Sequence, residues 1–180
     1  ILLEKFHGMK ISIIGLGGTG SYILDYLAKT PVKEIHLFDS DYQHNKNAFR
    51  SPGAMGIDAL TKIQRKVEYF QNEYTRIHKG IIGHPYNLNQ NNLSELDEMS
   101  FVFISIDKSS IKKIIVEHLE AKKINFIDVG MGINIVEGAI LGKLRITAST
   151  ENSRQHIHEK KRIKFEENNQ NDYSKLPQMA

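Results

Sequence analysis

Cysteine is absent from the sequence, which removes disulfide scaffolds, thiolate nucleophiles, thioester carriers and cysteine-ligated zinc from the chemistry this chain can perform itself. No apolar run approaches the roughly 20 residues a membrane-spanning helix needs. The first eight residues, Ile1 to Gly8, carry neither a basic flank leading into a long apolar stretch nor a small-residue cleavage site. No secretory leader is therefore expected, and a cytoplasmic protein is. Charge of one sign is scarce as well, the formal net charge being +3. The one dense basic cluster, Lys160-Lys161-Arg162 with Lys164, is flanked by Glu159, Glu166 and Glu167. It reads as a solvated face, so nucleic acid is not an expected partner. His156 and His158 stand one residue apart in a polar segment with no further ligand types around them, so no zinc site is expected.

What remains is ordinary globular material. With 180 residues, 40% of them apolar and 25% charged, the chain is long enough to bury one substantial core. Met9 to Ile14 reads as a buried strand that stops at Gly15-Leu16-Gly17-Gly18-Thr19-Gly20. Ile23, Leu24 and Leu27 then recur at helical spacing, with Pro31 ending the helix at about Thr30. A second strand runs from Glu34 to Asp39. This β-turn-α-β order implies parallel strands joined by a right-handed crossover.

Ser40 to Gly56 reads as a polar loop. From Ile57 through Leu60, Ile63, Val67, Phe70 and Tyr74 to Ile77 the apolar spacing predicts one long amphipathic helix. Strands are expected at 81–84, at Phe101 to Ile106 and from Asn125 to Val129. A helix bearing Ile111, Ile114, Ile115 and Leu119, capped by Ser109, should lie between the last two. Beyond Met131, which sits between glycines and should pack near the site, two strands around Glu137-Gly138 continue toward Ile146 as an antiparallel hairpin. The expected fold is α/β, a Rossmann-like three-layer sandwich whose mostly parallel sheet ends in a C-terminal antiparallel hairpin. The domain spans residues 1–148, and residues 149–180 read as a polar, flexible crossover loop or tail.

Gly15, Gly17 and Gly20 form a Gly-x-Gly-x-x-Gly pattern between strand and helix, where the backbone can approach a phosphate and the helix start offers unpaired amides and a positive dipole end. Asp39 ends the second strand, where an acid can accept hydrogen bonds from ribose. So far a dinucleotide dehydrogenase would fit equally well. Asn47 and Arg50 tip the balance, because a donor amide and a fixed guanidinium fork beyond a strand's carboxyl end suit a triphosphate better than a nicotinamide ring.

Gly15-Leu16-Gly17-Gly18-Thr19-Gly20, Asp39-Ser40-Asp41, Asn47-Ala48-Phe49-Arg50, Lys66 in Lys66-Val67-Glu68, and Asp107 occur in an order that resembles the ThiF/MoeB/HesA family, relatives of the ubiquitin-activating enzymes. The resemblance covers Met9 to Ile146. It implies an ATP-dependent adenylyltransferase that joins a C-terminal carboxylate of a ubiquitin-like protein or peptide to AMP and releases pyrophosphate, without a cysteine thioester in this chain. It further implies that Gly18 lies against the nucleotide, that Asp39 holds ribose, and that Asn47, Arg50 and Lys66 contact phosphates. Asp107 would bind magnesium; Asp41 would support the loop or join the metal site; Lys62 is the alternative to Lys66. A homodimer is implied too. Family members carry an arginine ahead of the first strand, whereas none precedes Arg50 here, and Ser51 stands where a glutamine is usual. These departures keep a catalytically silent scaffold, binding a ubiquitin-like partner, as the alternative. An NAD-dependent oxidoreductase is the third reading, and it leaves Asn47, Arg50 and Lys66 unexplained.

Overall fold

The computed structural model describes residues 3–163 and 165. Among these the chain forms β1 (Lys10–Ile14), α1 (Gly18–Leu27), β2 (Glu34–Phe38), α2 (Asn45–Ala48), α3 (Ile57–Thr61), α4 (Lys66–Tyr74), β3 (Ile81–His84), β4 (Phe101–Ile104), α5 (Ser109–Ala121), β5 (Asn125–Val136), β6 (Ala139–Ser149) and α6 (Gln155–Glu159). A 3₁₀ turn, Leu93–Leu96, precedes β4. The strands make one sheet in the order β3-β2-β1-β4-β5-β6. Its first five strands are parallel, and β6 runs antiparallel to β5.

Side-chain alternation on these strands feeds two separate cores, one on each face of the sheet. Ile11, Ile13, Ile35, Leu37 and Ile81 meet Leu24, Ala28, Val67 and Phe70 from α1 and α4. Ile14, Phe38, Val102, Ile104 and Phe126 meet Leu93, Leu96, Ile115, Val116 and Leu119 on the opposite side. The three-layer, mostly parallel arrangement expected from the strand and helix periods is the one observed. The turn after β5 uses Glu137 at φ 51° and Gly138 at φ 80°, the pair of positive angles that a tight two-residue hairpin demands.

The structure departs from the sequence reading in several places. Residues 57–77 are not one helix: Lys62 and Arg65 take extended ψ angles of 133° and 146°, separating α3 from α4. Ile57, Ile63 and Ile77 are exposed as a result, while Val67 and Phe70 are buried. A tertiary contact overrides the helical period here. The backbone N–H of Gln43 donates to Gln64 O at 2.9 Å, and Tyr42 bridges Arg65 in antiparallel fashion. The polar stretch 40–56 contains the short helix α2, braced by its own Asn47 (below). The residue capping α5 is Lys108, and Ser109 is already helical. Met131 is 60% exposed on β5 instead of packed inside.

Part of the segment read as a flexible tail is folded: α6 buries Ile157, and Ile163 joins it against the α5 side of the sheet. Three apolar residues, Ile157, Ile163 and Phe165, dock a segment whose polar surroundings carry no helical period. His158 Nε2 in α6 donates to Glu120 Oε2 at 2.8 Å. Lys164, Glu166, Glu167 and the rest of the tail to Ala180 lie outside the described residues.

Candidate active site

The glycines of the β1–α1 loop divide into two kinds. Gly15 has a φ of 92°, and a Cβ there would meet Ser105 O at 2.7 Å; a Cβ on Gly20 would stand 1.8 Å from Gly15 O. These two glycines let the loop fold tightly against the exit of β4, where Ser105 Oγ donates to Gly15 O at 2.7 Å. Gly17 is different. It precedes the first turn of α1 at a φ of −77°, and a Cβ on it would meet nothing within 4 Å. Backbone amides at the start of α1 have no partner within the helix, so this open side is where an anion can be received.

Asp39 joins this loop to the end of β2. Its Oδ2 accepts from Leu16 N at 2.7 Å and its Oδ1 from Asp41 N at 2.8 Å, and the residue is 9% exposed. Two fixed amide donors account for its burial as an anion. Its remaining partner is Lys66, whose Nζ lies 3.4 Å from Asp39 Oδ2 and 2.7 Å from Asp41 Oδ2. The hydrogen bond from Lys66 holds the Asp41 carboxyl below the ordinary carboxylate range, its burial acting in the opposite direction; Lys108 and His44 add smaller attractions.

Lys66 reaches this position because α4 begins with it. Glu68 accepts from Arg65 N at 3.0 Å, closing the first turn as a capping acid does. The Arg65 guanidinium donates to Ser40 O and lies 4.0 Å over the Tyr42 ring. A lysine at the start of a helix that is tied by its neighbour to residues 40–43 points back at the acids of that same loop. Lys62, the alternative, is exposed at the end of α3 and lines a different cleft.

Asn47 is buried and works first as a brace: its Oδ1 accepts from His44 N at 2.8 Å, and its carbonyl accepts from Arg50 N at 3.1 Å and from Ser51 Oγ at 2.8 Å. Ser51, in place of the expected glutamine, stabilises the same turn. Arg50 itself is exposed, and its aliphatic stem faces Gly18, with Cδ 3.6 Å from where a Cβ would be. Asp107 is exposed at the carboxyl end of β4, three residues beyond Ile104.

The structure therefore brings Gly15, Gly17, Gly18, Gly20, Asp39, Asp41, Arg50 and Lys66 together around one loop, with Asn47 supporting them. Asp107 follows two residues after Ser105, whose Oγ donates to Gly15 O. Sequence reasoning missed Arg65 and Ser105, and it missed a buried ion network in which Asp128 Oδ1 lies 2.7 Å from Lys112 Nζ and Asp128 Oδ2 lies 3.1 Å from Arg145 Nη2. The Glu68 that follows three residues after Arg65 signalled a helix start there. A lone acid inside the apolar strand run around Asp128 signalled a buried pair.

The residues present suit a magnesium nucleotide. The open backbone at Gly17, the cations Arg50 and Lys66, and a single rim carboxylate provide for phosphates and for a metal that takes most of its ligands from phosphate and water. Among the described residues there is no group of three or more acids or histidines that would cage a metal alone.

Several solved structures share this fold. PaaA matches with a TM-score of 0.61 at 20% identity, over 71% of this chain and 39% of that one. The E. coli tRNA N6-threonylcarbamoyladenosine dehydratase TcdA matches with 0.65 at 24%, over 74% and 57%. E. coli MccB, crystallised with succinimide, matches with 0.60 at 23%, over 74% and 40%. The chain thus spans between two fifths and three fifths of the length of these proteins. No curated protein sequence matches it. The model of the ThiF family matches residues 2–167. With the glycine loop, the Asp39–Lys66 pairing and the six-stranded sheet in place, the chain belongs to the ThiF family.

Proposed function

We propose that this chain is the ATP-dependent adenylating domain of an enzyme that activates a C-terminal carboxylate of a peptide or ubiquitin-like protein. The observation that carries the reading is that Asp39, which accepts from Leu16 N in the glycine loop, has Lys66 Nζ 3.4 Å away, while the Arg50 stem lies against Gly18 of the same loop. In the reaction a carboxylate oxygen forms a bond to the α-phosphorus of ATP, the bond to the bridging oxygen breaks, and pyrophosphate leaves with the electron pair. Asp39 and the amides of the glycine loop bind ribose and phosphate. Asn47 holds the turn that presents Arg50, and Lys66 exchanges its contact with Asp41 for phosphate oxygen. Asp107 is the carboxylate for magnesium, which supplies charge neutralisation. Such a site works by orientation and fixed charge, with no covalent step on the protein.

Two relatives lend support. TcdA has been crystallised with AMP (TM-score 0.64, 24% identity, 74% of this chain and 56% of that one), and MccB with MccA-N7isoASN (0.64, 22%, 74% and 39%). A peptide substrate is favoured on that ground over a small carboxylate. A homodimer is supported by the uncovered face of the β5–β6 hairpin, where Ile135 and Ile140 are paired across the strands, flanked by Ile133, Leu144 and Ile146, all between 40% and 71% exposed. No helix among the described residues is long and apolar enough to cross a membrane, and a cytoplasmic location is part of the proposal.

Calorimetry of MgATP binding tests the reading, with NAD as competing ligand and Arg50→Ala and Asp107→Ala as controls. Binding that both substitutions abolish, followed by peptide-dependent pyrophosphate exchange, is the expected result. Absence of MgATP binding would overturn it in favour of a silent scaffold for a ubiquitin-like partner.

A further inference from the structure

Between the start of α2 and the end of α3 lies an open cleft of about 490 Å³ whose walls include Gln43, His44, Lys46, Leu60, Lys62 and Ile63. Three features of it have no role in nucleotide binding. Gln43 is 7% exposed, yet among the described residues its Oε1 has no hydrogen-bond partner, its amide nitrogen facing Met55 Sδ at 3.8 Å. Lys46 and Lys62 are exposed and form no ion pair among the described residues. Ile63 is 90% exposed, and Leu60 stands beside it. The acids of the neighbourhood, Asp41 and Asp58, are not part of the wall.

Each feature specifies one property of an occupant. A buried carboxamide oxygen without a donor costs free energy until an N–H reaches it, and the terminal torsion of glutamine is soft enough to turn toward one. Two lysines with a histidine call for negative charge. The isoleucine and leucine call for an aliphatic side chain. Backbone N–H, carboxylate and aliphatic group occur together in an extended acidic peptide, whereas a free phosphate has no aliphatic group for Leu60 and Ile63. The cleft is also well placed, because Lys46 of α2 and His44, which caps that helix, line it, while Asn47 of the same helix is buried and holds the turn of Arg50.

We infer that this cleft docks an acidic segment of the substrate polypeptide, upstream of the carboxylate that is activated. The assignment to a substrate rests on the adenylation reading above. Charge attraction there raises the local concentration of the correct chain and discriminates against basic ones.

The test uses the full chain and two fluorescein-labelled peptides, one alternating glutamate with leucine and one with glutamine in place of each glutamate, followed by fluorescence anisotropy. The acidic peptide should bind about tenfold tighter, and its advantage should shrink with added salt. The double charge reversal K46E/K62E should erase that advantage, and Gln43→Leu should weaken both peptides alike. Equal affinity for the two peptides, or an acidic-peptide affinity unchanged in K46E/K62E, overturns the proposal; thermal melting of each variant verifies that it is folded. MgATP calorimetry on the same samples keeps the two readings apart. Charge-dependent peptide binding without MgATP binding would sink the adenylation reading and leave the acidic-peptide cleft. MgATP binding with charge-indifferent peptides would sink the cleft alone.

Discussion

Lys66 is shared unequally between two acids, with its ammonium 2.7 Å from Asp41 and 3.4 Å from Asp39. Asp39 is buried and held by two amides, whereas the Asp41 side chain is 69% exposed. Asp41 is therefore the partner that phosphate can replace. Lys66→Met should lower MgATP affinity by about tenfold or more, and should cost about 1–3 kcal/mol of stability because Asp39 stays buried with one cation fewer. Its clearest signature is at Asp41, whose carboxyl titrates below 3.8 while Lys66 is present and should return to the ordinary range without it. Since a lowered carboxylate pKa stabilises the fold above 3.8 and that contribution fades as pH falls toward the lowered value, the variant should lose this part of its acid sensitivity. Carboxyl NMR titration measures the shift directly.

Gly17 and Gly20 should fail in opposite ways. Gly20→Ala would drive a Cβ to 1.8 Å from Gly15 O and should prevent normal folding or lower the melting temperature severely. Gly17→Ala finds open space at an ordinary φ, so melting should be nearly unchanged, while MgATP affinity falls because the methyl group occupies the approach to the helix start. Equal losses of stability in both variants would contradict this division.

A pH effect should arise at the β2–β3 edge. His36 Nδ1 and His84 Nε2 lie 3.0 Å apart, and His84 continues to Tyr86 at 2.9 Å and on to Glu95. Burial, then repulsion from His36, lowers the pKa of His84 below 6.5. The unfolded chain therefore takes up a proton first, so stability is full above 6.5 and declines as pH falls from 6.5 toward the lowered value. His84→Gln should flatten the fall in melting temperature over that window.

Asp128 should prove costly to neutralise alone. The side chain is fully buried between Lys112 and Arg145, and Asp128→Asn should cost about 3–5 kcal/mol by leaving the buried Lys112 without its counter-ion. Pairing it with Lys112→Met should recover a large part of that loss. Urea unfolding of the two single variants and the double variant supplies the coupling energy.

Much of this architecture was legible in the residues themselves, for a physical reason. β1 and β4 spell nearly apolar runs, β2 alternates its apolar residues with Glu34 and His36, and the glycine loop must be glycine where Gly15 and Gly20 touch backbone. The hairpin was legible because Glu137-Gly138 interrupts two strand-like stretches. The order of Asp39, Asn47, Arg50, Lys66 and Asp107 behind the glycine loop pointed to the ThiF family, whose model matches residues 2–167. What could not be read was set by contacts between distant residues. The pairing of 42–43 with 64–65 breaks a helix whose spacing runs on without fault. The ion network joins Lys112, Asp128 and Arg145 from three elements. Ile157 docks α6 from a polar stretch.

That broken helix gives the loop a lever. From Ile57 to Ile77 the apolar spacing favours one continuous rod, while Gln43, Tyr42 and Ser40 hold residues 64 and 65 out of it. Two local preferences thus contend for the same few residues, and the winner sets how far the Lys66 ammonium extends toward the acids. A change that merely raised helical propensity at Gln64, touching neither acid nor lysine, would shift that contest and so reset the reach of the phosphate-side cation from outside the site.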